Sequence, residues 1–275
     1  MLKRLFNFLP TLAQSWNIVI LIMLVGGVLV TSLLLLLQSY NLVSVGNMNM
    51  LVQYILPLIP GFIYIYIKGG QQEEDKHYTI EKTNTGKVNK IIFFALIAIS
   101  ILCIAALAEP LTSWIEMPQT LKKTLEAITQ NSGWAFITTV LAAPLLEEYL
   151  LRGVIMRGLL KHSQPIRAIV WSAAIFAVIH FNVWQAIGAF LAGCFIGWIY
   201  WKTHSIWACI YIHMINNGFS YFMYLLNPQL DVDTTYQEIL APYGSYAYPA
   251  MYIACSVTLI VILYYLNKYL PRKGF

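Results

Sequence analysis

Two adjacent carboxylates, an arginine, two histidines and two asparagines interrupt stretches of chain that are otherwise apolar. The run APLLEEYLLRG carries Glu147, Glu148 and Arg152, a later run carries His180, and a third carries His213, Asn216 and Asn217. A carboxylate assisted by an imidazole is equipped to take a proton from water. Side-chain N–H groups are what a developing oxyanion requires. The same side chains suit other chemistry: Glu147, His180 and His213 are ligand types for zinc, with one coordination position left open. Intramembrane carboxylates also serve as proton relays in carriers.

Helical geometry sorts these residues. Successive side chains on a helix point about 100° apart, so Glu147 and Glu148 do not face one point. Glu148 and Arg152 lie four apart and pair along one face, which leaves Glu147 as the carboxylate free to act. Pro144 has no N–H to give the helix and predicts a kink beside Glu147. Glu147 lies 13 residues before Leu160 and His180 lies 14 residues after Ile166, so a hairpin turning at His162–Pro165 brings them level. His213 and Asn217, also four apart, share a face. Asn216 points elsewhere.

The elements that must hold these groups are membrane spans. Of 275 residues, 59% are hydrophobic and 11% charged, and the mean hydropathy is +0.66. Soluble domains run at about 45–50% apolar and about 25% charged. Eight apolar segments, roughly 17–38, 50–67, 91–108, 133–160, 166–183, 186–201, 206–226 and 247–266, predict an all-α, polytopic membrane bundle of about eight transmembrane helices. An ionisable group at mid-span costs about 2.5–3.5 kcal/mol against about 0.3–0.6 kcal/mol gained per leucine. The polar residues must therefore face the protein interior.

Threading eight spans puts fourteen lysines and arginines, Lys76, Lys82, Arg272 and Lys273 among them, on the side of both termini and only Lys122 and Lys123 on the other. That bias predicts cytoplasmic termini in a plasma membrane. Residues 1–16 read as a short interfacial helix broken near Pro10. His77, His162 and His204 fall at cytoplasmic loops. Ala189, Gly193 and Gly197 make a flat face for close helix packing. The cysteines, Cys103, Cys194, Cys209 and Cys255, fall in apolar segments without a CxxC pair, which argues against a zinc knot or redox motif. No basic run interleaved with aromatics suggests nucleic acid; the partners expected are the lipid bilayer and a membrane-associated peptide or protein substrate.

The series Glu147-Glu148-x-x-x-Arg152, Phe176-x-x-x-His180 and His213-x-x-x-Asn217 resembles the CAAX prenyl endopeptidase and bacteriocin-processing family, also called CPBP or Abi. That family carries EExxxR, FxxxH and HxxxN/D in this order on separate membrane helices. The resemblance implies an intramembrane endopeptidase. Glu147 is then the catalytic glutamate, His180 its partner, His213 and Asn217 the oxyanion-stabilising pair, and Glu148 with Arg152 their support. It points to a metal-free mechanism with no cofactor, zinc on Glu147, His180 and His213 being the alternative. The chain divides accordingly into an N-terminal membrane region, 1–120, without an assigned role, and a peptidase core, 121–275, with its motifs within 133–225 and a last helix. Two other readings stand beside this one. A non-catalytic scaffold or bacteriocin-immunity protein would tolerate loss of Glu147, and a proton-coupled transporter would show two related halves, which the sequence lacks.

Overall fold

A backbone surrounded by lipid has no partner but itself, so each long apolar run becomes a helix. In the computed structural model, which describes residues 2–40, 50–72, 83–130, 132–227 and 229–271, the helices in chain order are α1 (Leu2–Asn7), α2 (Leu12–Ser39), α3 (Met50–Gly70), α4 (Lys90–Thr112), α5 (Gln119–Gln130), α6 (Gly133–His162), α7 (Pro165–Val178), α8 (Val183–Thr203), α9 (Ile206–Leu226), α10 (Tyr236–Leu240) and α11 (Ala247–Tyr269).

The protein is an integral membrane protein, but the expected count of eight spans needs correction: among the described residues six helices, α2, α3, α4, α6, α8 and α11, are long and apolar enough to cross a membrane. The other two fall short for different reasons. Helix α7 has only 14 residues. Helix α9 has 21 residues, but His213, Asn216, Asn217 and Ser220 dilute its apolarity. At α9 the residues that lower the apolarity include the candidate site residues His213 and Asn217.

Caps and turns fix where the helices begin. Asn89 accepts hydrogen bonds from the Ile91 and Ile92 N–H groups at the start of α4. Asn182 caps α8 through Gln185 N–H, and Ser205 caps α9 through Ala208 N–H. His204, with φ of 52°, turns α8 sharply into α9. Helices α7 and α8 pack closely because Gly193 faces Ala173 and Gly197 faces Ile169. Pro10 separates α1 from α2, and Thr11 opens α2 in a capping box with Gln14. Helix α1 does not lie free at an interface: Phe6 and Phe8 are buried, and the Phe6 carbonyl accepts a hydrogen bond from Arg157 at 2.8 Å.

One end of the bundle gathers the basic loops. There the Gly69 backbone meets Arg4, Gly158 meets Pro10, Asn84 N–H reaches the Thr203 carbonyl at 3.4 Å, and Lys87 N–H reaches the Tyr269 carbonyl at 3.1 Å. At the opposite end Lys122 binds Asp233 at 2.9 Å, and Tyr248 donates to Glu109 at 2.8 Å. Lys76, His77, Lys82, Arg272 and Lys273 lie outside the described residues. Buried residues of α1 to α4 and of α6 to α9 belong to one continuous apolar core.

Candidate active site

The Glu-Glu pair sits on a short α-helical stretch, Ala143–Glu148, between two wider π-helical stretches, Phe136–Ala142 and Tyr149–Met156. The wide turn accommodates Pro144: the Ala143 N–H reaches back five residues to the Thr138 carbonyl, and Pro144, having no N–H, follows it. This local geometry, which helical periodicity alone does not foresee, aims Glu147 and Glu148.

Glu148 and Arg152 are completely buried and paired, with both carboxylate oxygens near Arg152 Nη1 at 3.0 and 2.9 Å. Arg152 Nη2 donates to the Gly193 carbonyl at 2.9 Å, so the pair also ties α6 to α8. His213 Nδ1 stands 2.9 Å from Glu148 Oε1. A carboxylate held by Arg152 accepts this bond, so Nδ1 carries the hydrogen. The ring is thereby oriented, and its Nε2 lies 3.9 Å from Glu147 Oε2.

His180 sits in the turn just past α7 and is oriented by the end of that helix. Its Nδ1 is 2.8 Å from the Phe176 carbonyl, which only accepts, so Nδ1 donates and Nε2 is left as the free ring nitrogen. The Phe176 ring stands between the two imidazoles, at 4.9 Å from that of His180 and 5.4 Å from that of His213, and the Arg152 guanidinium lies 5.5 Å from its centre. Phe176 thus spaces the polar residues around it. Asn217 Nδ2 donates to the Thr139 carbonyl at 2.9 Å, and its Oδ1 accepts from Asn216 at 3.3 Å.

A cavity of about 660 Å³ meets this cluster. His180, His213, Asn216 and Asn217 line its inner part, and Glu109, Thr112, Ser113, Asp233 and Thr235 line its outer part. Helix α9 and the turn after α7, which holds His180, thus supply the polar wall.

Two arrangements differ from the sequence expectation. The partners of Glu147 are Tyr54, whose hydroxyl donates to Oε1 at 2.7 Å, and His213; no hydrogen bond joins it to His180 among the described residues. Glu147 is also not among the residues lining the cavity. Asn216, read as pointing away, lines the cavity beside Asn217. The zinc alternative does not fit: among the described residues no three His, Cys, Asp or Glu side chains come together as metal ligands.

Residues 129–219 match the family model for type II CAAX prenyl endopeptidase, Rce1-like. The chain carries a CAAX prenyl endopeptidase domain over this part of its length. No curated protein and no solved structure matches it. The endopeptidase domain contains Glu147, Glu148, Arg152, His180, His213 and Asn217, whereas Tyr54 lies in the N-terminal region that precedes it.

Proposed function

We propose that this protein hydrolyses a peptide bond of a membrane-associated protein or peptide drawn into the cavity. The observation that carries the reading is the convergence of His180, His213 and Asn217 on one cavity wall, with a Glu147 oxygen 3.9 Å from His213 Nε2. The family match supports the reaction class.

In this reading Glu147 removes a proton from water, and the resulting hydroxide attacks the peptide carbonyl carbon. General-base help of this kind contributes about 10²- to 10⁴-fold. The carbonyl oxygen becomes an oxyanion, which accepts hydrogen bonds from Asn217 Nδ2 and from His213 Nε2 when that nitrogen carries a proton. Loss of one such donor costs about 10²- to 10³-fold. With Nδ1 already donating to Glu148, a proton on Nε2 makes His213 a cation, which the oxyanion and the Glu148 carboxylate balance once Glu147 has taken the water proton. The free Nε2 of His180 moves protons beside the cavity. The proton first taken by Glu147 returns to the departing amine as the C–N bond breaks. Glu148 and Arg152 hold His213 in place, and residues 1–120 contribute Tyr54 to Glu147 as well as anchoring the bundle.

A second reading draws on the Tyr54 hydrogen bond. Glu147 is engaged by that hydroxyl and stands off the cavity wall, as suits a scaffold or immunity protein that binds a membrane peptide without cutting it. Comparing cells that express wild type or Glu147→Gln at equal membrane levels separates the two. A precursor peptide that accumulates only in the variant supports the peptidase. Identical peptide profiles, with any cellular phenotype rescued by the variant, support the binder.

A further inference from the structure

The cavity has a definite polarity with respect to the basic end of the bundle. Its lining comes from the C-terminal parts of α4, α7 and α9 and the N-terminal parts of α6 and α8. Each of these lies away from the end where Arg4, Lys87, Arg157 and Lys202 are found. The outer rim is made by Ser113 and Glu116, both exposed, and by Asp233 and Thr235. Helix α5 and the segment around Asp233 sit over this rim, joined by the Lys122–Asp233 pair at 2.9 Å. The rim therefore belongs to the end that, among the described residues, carries only Lys122 and Lys123 of the loop lysines and arginines.

Lysine and arginine are retained on the cytoplasmic side of membrane proteins. The loops that a crossing pattern must place together are joined in the structure by direct contacts: Thr83 to Ser205 at 2.7 Å, and the Lys87 N–H to the Tyr269 carbonyl at 3.1 Å. A basic end assembled from at least three separate loops fixes one side of the bundle as a unit.

We propose that the cavity opens away from the cytoplasm and receives its peptide from the outer face of the membrane. Its substrate is then a segment of an exported or membrane-anchored polypeptide whose cleavage site lies at or beyond the outer leaflet. A chain terminus confined to the cytosol does not reach it. The identity of the occupant as a substrate rests on the peptidase reading above, whereas the side on which the cavity opens does not.

The test uses Ser113→Cys at the rim and Lys161→Cys at the basic end, in the full-length protein in intact cells. The native cysteines all lie within the helices α4, α8, α9 and α11, and wild type provides their background. A membrane-impermeant charged maleimide should label Ser113→Cys in intact cells and Lys161→Cys only after permeabilisation. The reverse pattern, or labelling at both sites that permeabilisation does not change, overturns the proposal. In parallel, peptides that depend on Glu147 should be recovered from outside the cell. Their recovery only from the cytosol overturns the assignment of substrate class. If no peptide depends on Glu147, the peptidase reading and the substrate class fall together, and the labelling still decides the orientation.

Discussion

The Tyr54 hydroxyl lies 2.7 Å from Glu147 Oε1, although the two residues are separated by 93 positions and belong to different parts of the chain. The bond links α3, before the endopeptidase domain, to the Glu-Glu helix inside it. It fixes the Glu147 carboxylate so that its other oxygen faces His213. Tyr54→Phe removes one hydrogen bond to a charged acceptor, a change of about 1.5–3 kcal/mol at most. The expected result is a fall of about tenfold or more in kcat. KM should stay unchanged, because Tyr54 does not line the cavity. Steady-state kinetics on a peptide found in the Glu147→Gln comparison provide the check; a change in KM alone would remove Tyr54 from the positioning of Glu147.

Asn217 is held on the cavity wall by its bond to the Thr139 carbonyl. One Nδ2 hydrogen is committed there and the second remains for an oxyanion. Asn217→Ala should lower kcat by about 10²- to 10³-fold. Asn217→Leu keeps a similar volume and loses the donor, so it should be as inactive as Asn217→Ala. Activity of Asn217→Leu near that of wild type would exclude the donor role.

The site was legible in the sequence where helical spacing fixes a contact. Glu148 and Arg152 four apart meet because one helix carries both, and Phe176 and His180 four apart meet because the turn after α7 keeps close to its last carbonyls. Contacts between helices were not legible. Tyr54 is one tyrosine among 18, and nothing in its neighbourhood marks it as the partner of Glu147. Depth counting paired Glu147 with His180, but the π-helical turns around Ala143–Glu148 change the direction in which Glu147 points, and His213 is its neighbour instead. The span count failed at α7, which stops after 14 residues, and at α9, where polar groups lower the apolarity that identifies a span.

The docking of α1 depends on the absence of side chains at two places. A methyl group on Gly69 would overlap the Arg4 carbonyl, and one on Gly158 would overlap the Pro10 backbone. Backbone cannot step aside as a flexible side chain does, so Gly69→Ala or Gly158→Ala should cost about 1–3 kcal/mol. Both should make residues 2–10 accessible to protease while leaving the remaining helices folded. Unchanged proteolysis of both variants would contradict the packing of α1 against α3 and α6.

The Lys122–Asp233 pair at the rim titrates with a definite sign. The hydrogen bond to Asp233 raises the Lys122 pKa above its ordinary value; burial opposes this, and the attraction of Asp233, Asp231 and Glu126 adds to it. A raised folded-state pKa means that the contribution is fully present below the ordinary lysine value of about 10.4 and is lost as pH rises through the folded value. Cleavage of the 229–236 segment by an alkaline-active protease should therefore stay level from neutral pH to about 10.4 and rise above it. In Lys122→Met it should be raised throughout, with no such step. A step that persists in Lys122→Met would assign the titration to another group.

Glu148 and Arg152 have no exposure to solvent and share their bonds with His213 and the Gly193 carbonyl. Removing one partner leaves an uncompensated buried charge, at a cost of about 3–5 kcal/mol. Arg152→Met and Glu148→Leu should each lower stability by that amount in detergent unfolding. The double variant leaves no charge stranded and should recover most of the stability. It should still lack activity, because His213 Nδ1 then has no acceptor and the ring loses the orientation that turns Nε2 toward Glu147. Stability restored without activity would show that this buried pair orients His213 for the reaction. Activity restored along with stability would reduce the pair to packing and make the orientation of His213 independent of Glu148.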